Sequence, residues 1–441
     1  DSGGEHLWRA RLREILAVAE KDRDAALARA DIWLAMEDVI TPDPLLAQVP
    51  DARLAEVLAA GTAWVEAVRS SRADDGVTRA FSAALMRADH DPATYPSSAK
   101  IAAELAYTRA RPFTWTWMCY IVGGILAAIG LGRARPLGDG GRGSSGWFRL
   151  GVMITALGVA CNLIGLGVRV YITSLGAVTN LYETLVYVAL LCAVLGLVFA
   201  RLSGNGIYAV AGGIAGGMCA MVGETIPPDL GSHIGQLQPV LRSKFWLWTH
   251  VKTVVASYAA FLLAWAMANI VLTRAAVCRR AVRVDEARTI YRCVQVGVVL
   301  IAAGTLLGAV WADQAWGRFW GWDPKEVGAL IVLLAYLVPL HLRFAGSIGS
   351  TGFAAWSAVC ILSVVWSWYG VNFIQGSGLH AYAFGSGGQG WVIGACTAQV
   401  AYTLFLLRRV RHYEAAERDL PLPDGPTPVA SESGPAKLTG P

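Results

Sequence analysis

Charged side chains are scarce in this chain of 441 residues. Asp, Glu, Lys and Arg together make up 16% of it, whereas soluble domains contain roughly 25%. The composition therefore excludes an ordinary soluble enzyme. No cysteine precedes Cys119, and the eight cysteines form neither a CxxC nor a CxxCH motif. These absences exclude a disulfide framework, a zinc-finger spacing and covalent attachment of a haem to the chain's own cysteines.

Apolar residues, glycine and tryptophan are abundant instead. Hydrophobic residues make up 55% of the chain, which contains 48 glycines and 17 tryptophans, and membrane helices are enriched in glycine and in interfacial tryptophan. Residues 1–112 contain 14 basic and 18 acidic side chains, and the remainder contains 23 basic and 14 acidic ones. A basic excess of this kind is typical of membrane loops and is a weak indication of nucleic-acid binding. We predict an all-α, polytopic helical membrane protein with no nucleic-acid partner.

The polar N-terminal part is predicted to form a separate helical domain over residues 1–112. Apolar residues recur at helical spacing in four stretches, namely residues 7–19, 25–36, 53–68 and 77–88. No chemical motif lies there, so we interpret the domain as a partner-docking or spacer domain. The chain opens on Asp1 rather than Met, which leaves a preceding start or targeting segment open. Residues 413–441 are rich in proline and are predicted to be a disordered tail.

Nine apolar runs follow within residues 113–412, the predicted membrane domain. About twenty apolar residues are needed to cross ~30 Å of hydrocarbon. The run at 206–223, rich in Gly and Ala, gives the weakest signal. The nine predicted spans are residues 115–132, 150–170, 181–200, 206–223, 250–273, 293–311, 327–344, 352–371 and 389–407.

Basic residues between the spans predict the orientation of the chain in the membrane. If the N-terminal domain lies outside, the inner loops contain fifteen basic residues and the outer loops contain six. Because cytoplasmic loops carry an excess of Lys and Arg, we predict an extracytoplasmic N-terminal domain and a cytoplasmic C-terminus.

This topology places three unusual segments on the outer side. The first ends at His250, the second is the tryptophan-rich stretch 311–326, and the third contains His380. Four tryptophans within twelve residues are too dense for a scattered aromatic belt, and indole faces suit a large, flat, apolar ligand. Histidine is a natural axial ligand for porphyrin iron, although a lone histidine is more often a capping or hydrogen-bonded residue. The candidate binding residues are His250, His380, Trp311, Trp316, Trp320, Trp322 and Asp323.

His341 lies deeper in the predicted membrane domain. It follows Glu326 by fifteen residues, which at about 1.5 Å per residue places it ~22 Å along the seventh span. An ionisable side chain at that depth is a candidate functional residue, and the alternative is that it reaches the inner headgroups beside Arg343. Arg169 and Glu183 lie at the ends of the second and third spans. Either they pair with each other or they meet carboxylates of a ligand, and pairing is the favoured interpretation.

These residues carry a resemblance to a known family. The string Trp316-Gly317-x-x-Trp320-x-Trp322-Asp323-Pro324-Lys325-Glu326 resembles the tryptophan-rich WWD signature of the haem-handling proteins of cytochrome c biogenesis. The stretches 180–183, 246–251 and 379–380 are similar to the CcsA (ResC) branch of the system II synthase. The resemblance covers about residues 111–410.

The resemblance implies a substrate, ligands and partners. It implies haem b, held through its iron by His250 and His380 at the WWD loop, and an inner haem site to which His341 contributes. The second ligand of the inner site would come from a CcsB (ResB)-like membrane subunit. Apocytochrome c and thiol-reducing periplasmic proteins are further implied partners, and the bacterial inner (cytoplasmic) membrane is the implied location. The loop at His380 reads His-Ala-Tyr-Ala where the family tends to have His-Ser-Tyr-Gly, which leaves the loop geometry open.

The candidate residues and the resemblance lead to three functional hypotheses. The first is a haem-transporting subunit of a cytochrome c synthase (haem lyase) complex, which presents haem for thioether attachment to the CxxCH segment of apocytochrome c. The second is a carrier that hands haem to a periplasmic chaperone without ligating it to protein. The third, an unrelated small-molecule transporter, predicts internally repeated bundles, and the sequence contains no convincing repeat. Whether the chain itself is an enzyme is left open.

Overall fold

The computed structural model describes residues 97–133, 145–174, 176, 178–225, 243–375 and 388–418, together with scattered residues between 59 and 83. All regular structure within these residues is helical, as predicted. The chain divides into two compact units, Asp1–Ser98 and Ala99–Pro441. The predicted domain boundary at residue 112 lies within the second unit. The predicted helices 7–19 and 25–36, the loop containing His380 and residues 419–441 lie outside the described residues.

Among the described residues from 98 to 418, ten helices follow one another. The sixth includes a π-helical turn at Leu247–Val251, and the ninth ends in a π-helical segment at Trp366–Gln375. The helices are α1 (Ser98–Ala110), α2 (Pro112–Arg133), α3 (Gly146–Thr173), α4 (Leu181–Ser203), α5 (Ile207–Thr225), α6 (Lys244–Val277), α7 (Val284–Trp316), α8 (Pro324–Phe344), α9 (Ser350–Gln375) and α10 (Gln389–Arg418).

Nine helical segments among the described residues are long and apolar enough to cross a membrane. They correspond to the nine predicted spans, with α1 and α2 counted as one segment, so the predicted multi-pass helical architecture is confirmed. Even the run with the weakest signal forms a full helix, Ile207–Thr225. It is tightly packed, because small Gly and Ala side chains allow neighbouring helices to approach closely.

Glycines bring several helix backbones into direct contact. A Cβ atom added to Gly196 of α4 would lie 2.8 Å from the Cα of Gly212 in α5, and one added to Gly212 would lie equally close to Gly196. A Cβ atom on Gly151 of α3 would lie 2.6 Å from the carbonyl oxygen of Gly123 in α2. The hydrophobic effect does not drive helices together within lipid. Close packing at small residues therefore contributes to the association of membrane helices.

α6 is the central helix, and it is buried on most of its length among α4, α5, α7 and α9. α10 lies at the periphery and is attached to α6 by a polar network. Trp265 Nε1 donates to Gln399 Oε1 at 2.9 Å, and Gln399 Nε2 donates to Asn269 Oδ1 at 3.1 Å and to Thr403 Oγ1 at 2.9 Å. Interhelical hydrogen bonds of this kind stabilise helix pairs in lipid, where polar side chains have few other partners.

The C-terminal helix extends further than the sequence predicted. α10 continues to Arg418, whereas the disordered tail was predicted to begin at residue 413. Val410 is buried against the bundle, and Thr351 Oγ1 at the start of α9 donates a hydrogen bond to Glu414. These contacts explain why the helix does not stop where its apolar run stops.

Candidate functional site

One side of the bundle contains a cavity of about 610 Å³. The starts of α4, α6 and α8 and the ends of α7 and α9 enclose it. Cavities of about 300–1,000 Å³ with mostly apolar walls are typical of small-molecule and cofactor sites. Four of the residues predicted from the sequence to bind a ligand line it, namely His250, Trp311, Trp316 and Trp320.

His250 lies in the π-helical turn near the start of α6 and faces the backbone of α7. Its Nδ1 atom lies 2.8 Å from the carbonyl oxygen of Gly304. Because a carbonyl oxygen only accepts hydrogen bonds, Nδ1 is the donor in this contact. Histidines that ligate metals usually donate their other ring N–H to a carbonyl or carboxylate, which fixes the ring orientation. His250 therefore has the kind of backbone support that metal-ligating histidines usually have.

Two glycines of α7, one turn apart, make room for His250 and its helix. A Cβ atom on Gly308 would lie 2.5 Å from His250 Cε1 and 2.9 Å from its Nδ1. A Cβ atom on Gly304 would lie 2.7 Å from Cγ2 of Val254, one turn further along α6. Any larger residue at either position would push α6 away from α7. These glycines are not among the residues predicted to form the site, although their spacing of four residues is visible in the sequence.

Aromatic rings surround His250. The ring of Trp311 lies 5.6 Å from the imidazole at an interplanar angle of 64°, and it stacks on Trp246 at 6.3 Å and 11°. Trp246 is held in turn by a hydrogen bond of 3.0 Å from its Nε1 to Gln314 Oε1. Trp368 of α9, which is not among the predicted site residues, also lines the cavity. The walls thus offer indole faces beside an oriented imidazole.

Trp322 does not line the cavity. Its side chain is 70% exposed, and its backbone φ angle of 58° is in the left-handed region that large residues rarely adopt. Its ring packs edge-to-face on Trp320 at 5.8 Å. Trp320 therefore lines the cavity, while Trp322, two residues later, projects toward solvent.

Asp323 caps α8 and likewise does not line the cavity. Its Oδ1 accepts a hydrogen bond of 3.1 Å from the backbone N–H of Lys325. Glu326 completes a capping box, because its Oε2 accepts from the backbone N–H of Asp323 at 3.2 Å and of Gly321 at 2.8 Å. Arg318 Nη1 donates to the other oxygen, Oε1 of Glu326, at 3.1 Å. The Asp-Pro-Lys-Glu string thereby folds the tryptophan loop back onto the start of the helix.

A buried ion pair supports the opposite wall. Arg169 Nε lies 2.7 Å from Glu183 Oε1, and both side chains are 2% exposed. The pairing interpretation is thus confirmed. Glu183 Oε2 also accepts from the backbone N–H and the hydroxyl of Thr179, at 2.8 and 2.5 Å. Since Thr179 lines the cavity, the ion pair fixes the wall segment 178–181.

The cavity ends at a polar pair above stacked aromatic rings. Tyr258 and Ser367 both line it, and their hydroxyl oxygens are 3.0 Å apart. Phe261, one turn beyond Tyr258 on α6, stacks on Tyr336 with the ring centroids 3.8 Å apart and nearly parallel. Both rings are fully buried. The cavity is thereby closed toward the centre of the bundle.

His341 is not near the cavity. It lies on the exposed side of α8, and its Nδ1 is 2.9 Å from the carbonyl oxygen of Leu337, one turn earlier. Its neighbours on that side, Leu334 and Val338, are also exposed. The structure therefore does not bring His341 together with His250. His380 lies outside the described residues, so its ligand role stays a prediction.

The chain is similar to known proteins both by a family model and by sequence. The model of the family described as "Cytochrome C assembly protein" matches residues 178–380. The cytochrome c biogenesis protein CcsA of Synechococcus sp. (strain CC9902) is 31% identical over 238 residues, which cover 47% of this chain and 78% of that protein. Protein NrfI of Wolinella succinogenes is 31% identical over 306 residues, or 66% of this chain. The chain spans only 32% of the length of NrfI.

A solved structure, described as cytochrome c heme lyase CcmF, is also similar. It is 15% identical in sequence, with a TM-score of 0.43, and the match covers 68% of this chain and 50% of that one.

Proposed function

Because the chain belongs to the CcsA family of cytochrome c assembly proteins, we propose that it is the haem-transporting subunit of a cytochrome c synthase (haem lyase) complex. It would carry haem across the bacterial inner membrane and present it for attachment to the CxxCH segment of apocytochrome c. The observation that carries this proposal is the orientation of His250 within an aromatic cavity. An imidazole whose Nδ1–H is bonded to the Gly304 carbonyl is prepared to offer Nε2 to iron.

The residues present fit haem b as a substrate. The cavity volume is that of a cofactor site, and Trp311, Trp316 and Trp320 provide flat apolar faces. His250 and His380 would hold the haem through its iron. Asp323 would act by shaping the loop, and Trp322 by presenting an exposed indole that packs on Trp320.

The attachment reaction needs positioning more than a catalytic acid or base. Each thioether forms when a Cys S–H adds across a haem vinyl group, so a C–S bond forms and the thiol hydrogen passes to the vinyl carbon. The protein's part is to hold the two reactants together and to exclude water. The tryptophan walls and the closed end formed by Tyr258 and Ser367 suit that task.

His341 would belong to a second haem site on the inner side, completed by another chain. Its exposure on α8 supports this part of the proposal, because an exposed imidazole among apolar neighbours is accessible to a partner helix. A CcsB/ResB-like subunit would supply the second ligand. The closed end of the cavity supports transfer of haem along the exposed side of α8 rather than through the core.

This site assignment is tested by absorption spectra of the detergent-purified protein, oxidised and reduced. The parent is expected to show a low-spin haem spectrum, which His250→Ala and His380→Ala each remove. His412→Ala is the matched control, since His412 lies near the end of α10 and away from the cavity, and it is expected to keep the spectrum. A parent that takes up no haem, even when produced with a CcsB-like subunit, contradicts the proposal.

Cytochrome maturation in cells then separates the synthase from a haem carrier. A synthase subunit is expected to co-purify with a CcsB-like subunit and apocytochrome c, and the double variant His250→Ala, His380→Ala is expected to abolish maturation of c-type cytochromes. Capture with a periplasmic haem chaperone instead would favour the carrier hypothesis.

A further inference from the structure

Two hydroxyl groups, those of Tyr258 and Ser367, lie together at the closed end of the cavity. Their oxygen atoms are 3.0 Å apart, and each residue is only 6% exposed. The ring of Tyr258 also contacts that of Trp368, another residue of the cavity wall, with the centroids 5.8 Å apart. The pair is therefore buried, lines the cavity and is held in place by an indole.

This hydroxyl pair has one more hydrogen than its own bond uses. One O–H donates to the other oxygen, and the second O–H remains available as a donor. Among the residues that the structure describes, none accepts from it. Three further described hydroxyl groups line the cavity, and each already donates to Glu183 or to a backbone carbonyl oxygen; they belong to Thr179, Thr184 and Thr305. A buried donor without an acceptor is unfavourable, so the pair suits a ligand that brings an acceptor to the closed end.

The closed end also limits how haem can lie in the cavity. The thiols of the CxxCH segment must reach the haem vinyl groups, and a polypeptide cannot pass the buried, stacked rings of Phe261 and Tyr336. The vinyl groups must therefore point away from the closed end. In haem b the two vinyl groups share one edge of the macrocycle, and the two propionates share the opposite edge. The propionate edge consequently points toward the hydroxyl pair.

The depth of the pair below His250 is compatible with this orientation. The lining residues of α6 continue from His250 through Val254 to Tyr258, and at about 1.5 Å per residue this part of the helix spans ~12 Å. The macrocycle would thus pass the apolar side chain of Val254 before its carboxyl groups meet the hydroxyls. A carboxyl group accepts from a hydroxyl, and in its protonated form it also donates. It can therefore complete the pair in either protonation state.

We propose that Tyr258 and Ser367 bind a propionate carboxyl group of the haem substrate and thereby set the orientation of haem in the cavity. This inference rests on the proposed function. His250 would hold the iron, and the hydroxyl pair would hold the edge opposite the vinyl groups. Fixing that edge fixes the direction in which the vinyl groups point. Such orientation is a large part of what a positioning site contributes to a reaction.

The test compares haem with haem dimethyl ester, in which both carboxyl groups are esterified. Each ligand is titrated into the detergent-purified full chain, and binding is followed by absorption. The parent is expected to bind haem about tenfold more tightly than the ester, which is the scale of one hydrogen bond to a carboxylate. The double variant Tyr258→Phe, Ser367→Ala is expected to lose this preference by weakening haem binding about tenfold while leaving ester binding unchanged.

Tyr336→Phe is the matched control. Tyr336 is fully buried next to Phe261 and does not line the cavity, and its hydroxyl has no hydrogen-bond partner among the described residues. This variant also loses one buried tyrosine hydroxyl, but it is expected to keep the preference of the parent. Binding of the ester by the double variant serves as the internal check that it is folded.

The other outcomes are distinguishable. If the parent binds haem but the double variant weakens both ligands equally, or neither, the assignment of the hydroxyl pair is overturned and the proposed function stands. Should the double variant not fold, Tyr258→Phe alone decides, because it keeps the ring and is expected to lose part of the preference; an unchanged preference overturns the assignment. If the parent binds neither ligand, the proposed function is overturned and the assignment falls with it.

Discussion

The imidazole of His250 lies directly against Gly308 of the neighbouring helix. A Cβ atom at position 308 would be 2.5 Å from Cε1 of the ring, closer than real Cβ atoms approach other atoms. The hydrogen bond of His250 to Gly304 comes from the same face of α7, one turn away. His250, the candidate iron ligand, can therefore take this position only because Gly308 of α7 has no side chain.

We expect Gly308→Ala to displace His250 and to abolish low-spin haem binding. Overpacking of this kind typically costs about 1–3 kcal/mol, so the variant should still fold. Absorption spectra and thermal unfolding in detergent measure the two effects. Gly167→Ala on α3 is the control, because a Cβ atom there meets nothing within 4 Å. Haem binding of normal affinity in Gly308→Ala would contradict the orientation of His250 described above.

We expect Asp323→Ala to lower the free energy of unfolding by about 1 kcal/mol through loss of the helix cap. Asp323→Asn should restore both stability and haem binding, since an amide oxygen can also accept from the N–H of Lys325. Chemical denaturation and haem titration of the two variants check this. Failure of Asn to rescue haem binding, with stability restored, would mean that the charge of Asp323 acts on the ligand directly.

We expect Arg169→Met to destabilise the protein by about 3–5 kcal/mol, because the buried carboxylate of Glu183 loses its counter-ion. The wall segment held through Thr179 should loosen as well, so haem retention should fall. Arg283→Ala provides the comparison, since the Arg283–Asp285 pair is largely exposed and such pairs contribute about 0–1 kcal/mol. Thermal unfolding and the haem content after purification are the measurements. A cost similar to that of Arg283→Ala would refute the role given to the pair.

We expect Gln399→Leu to loosen α10, because the indole N–H of Trp265 and the amide of Asn269 both lose their partner. Interhelical bonds in membranes contribute about 0.6–2 kcal/mol each. Limited proteolysis should then cut α10 faster than in the parent. Thr397→Val is the control, since Thr397 bonds only to Ile393 within its own helix. Equal proteolysis rates of the two variants would contradict a role of the network in docking α10.

Hydropathy was sufficient to predict the helices of the membrane domain. The start of α8 is also visible in the sequence as a helix-capping motif. The string Asp323-Pro324-Lys325-Glu326 contains the cap, the proline of the first turn and the capping-box acid. The rotation of α8 about its axis was not predictable, because apolar residues cover its core side and its exposed side alike. The exposure of His341 therefore emerged only from the structure.

The aromatic loop shows a second limit of prediction. Trp320 and Trp322 belong to one motif and were both predicted to bind the ligand. The left-handed backbone at Trp322 turns the two rings to different sides. The contact of Gly308 with His250 depends on how α6 packs on α7, which a single sequence does not specify. Arg169 and Glu183 were correctly paired because two opposite charges at facing helix ends have few other partners.

The stacked rings of Phe261 and Tyr336 have a consequence for turnover. Both rings are fully buried, so within the described part of the chain they form a barrier between the cavity and the centre of the bundle. If haem binds in the cavity as proposed, its arrival and the departure of the finished cytochrome would both take place away from these rings. The protein would process one haem at a time, and product release would set the earliest moment at which the next can load.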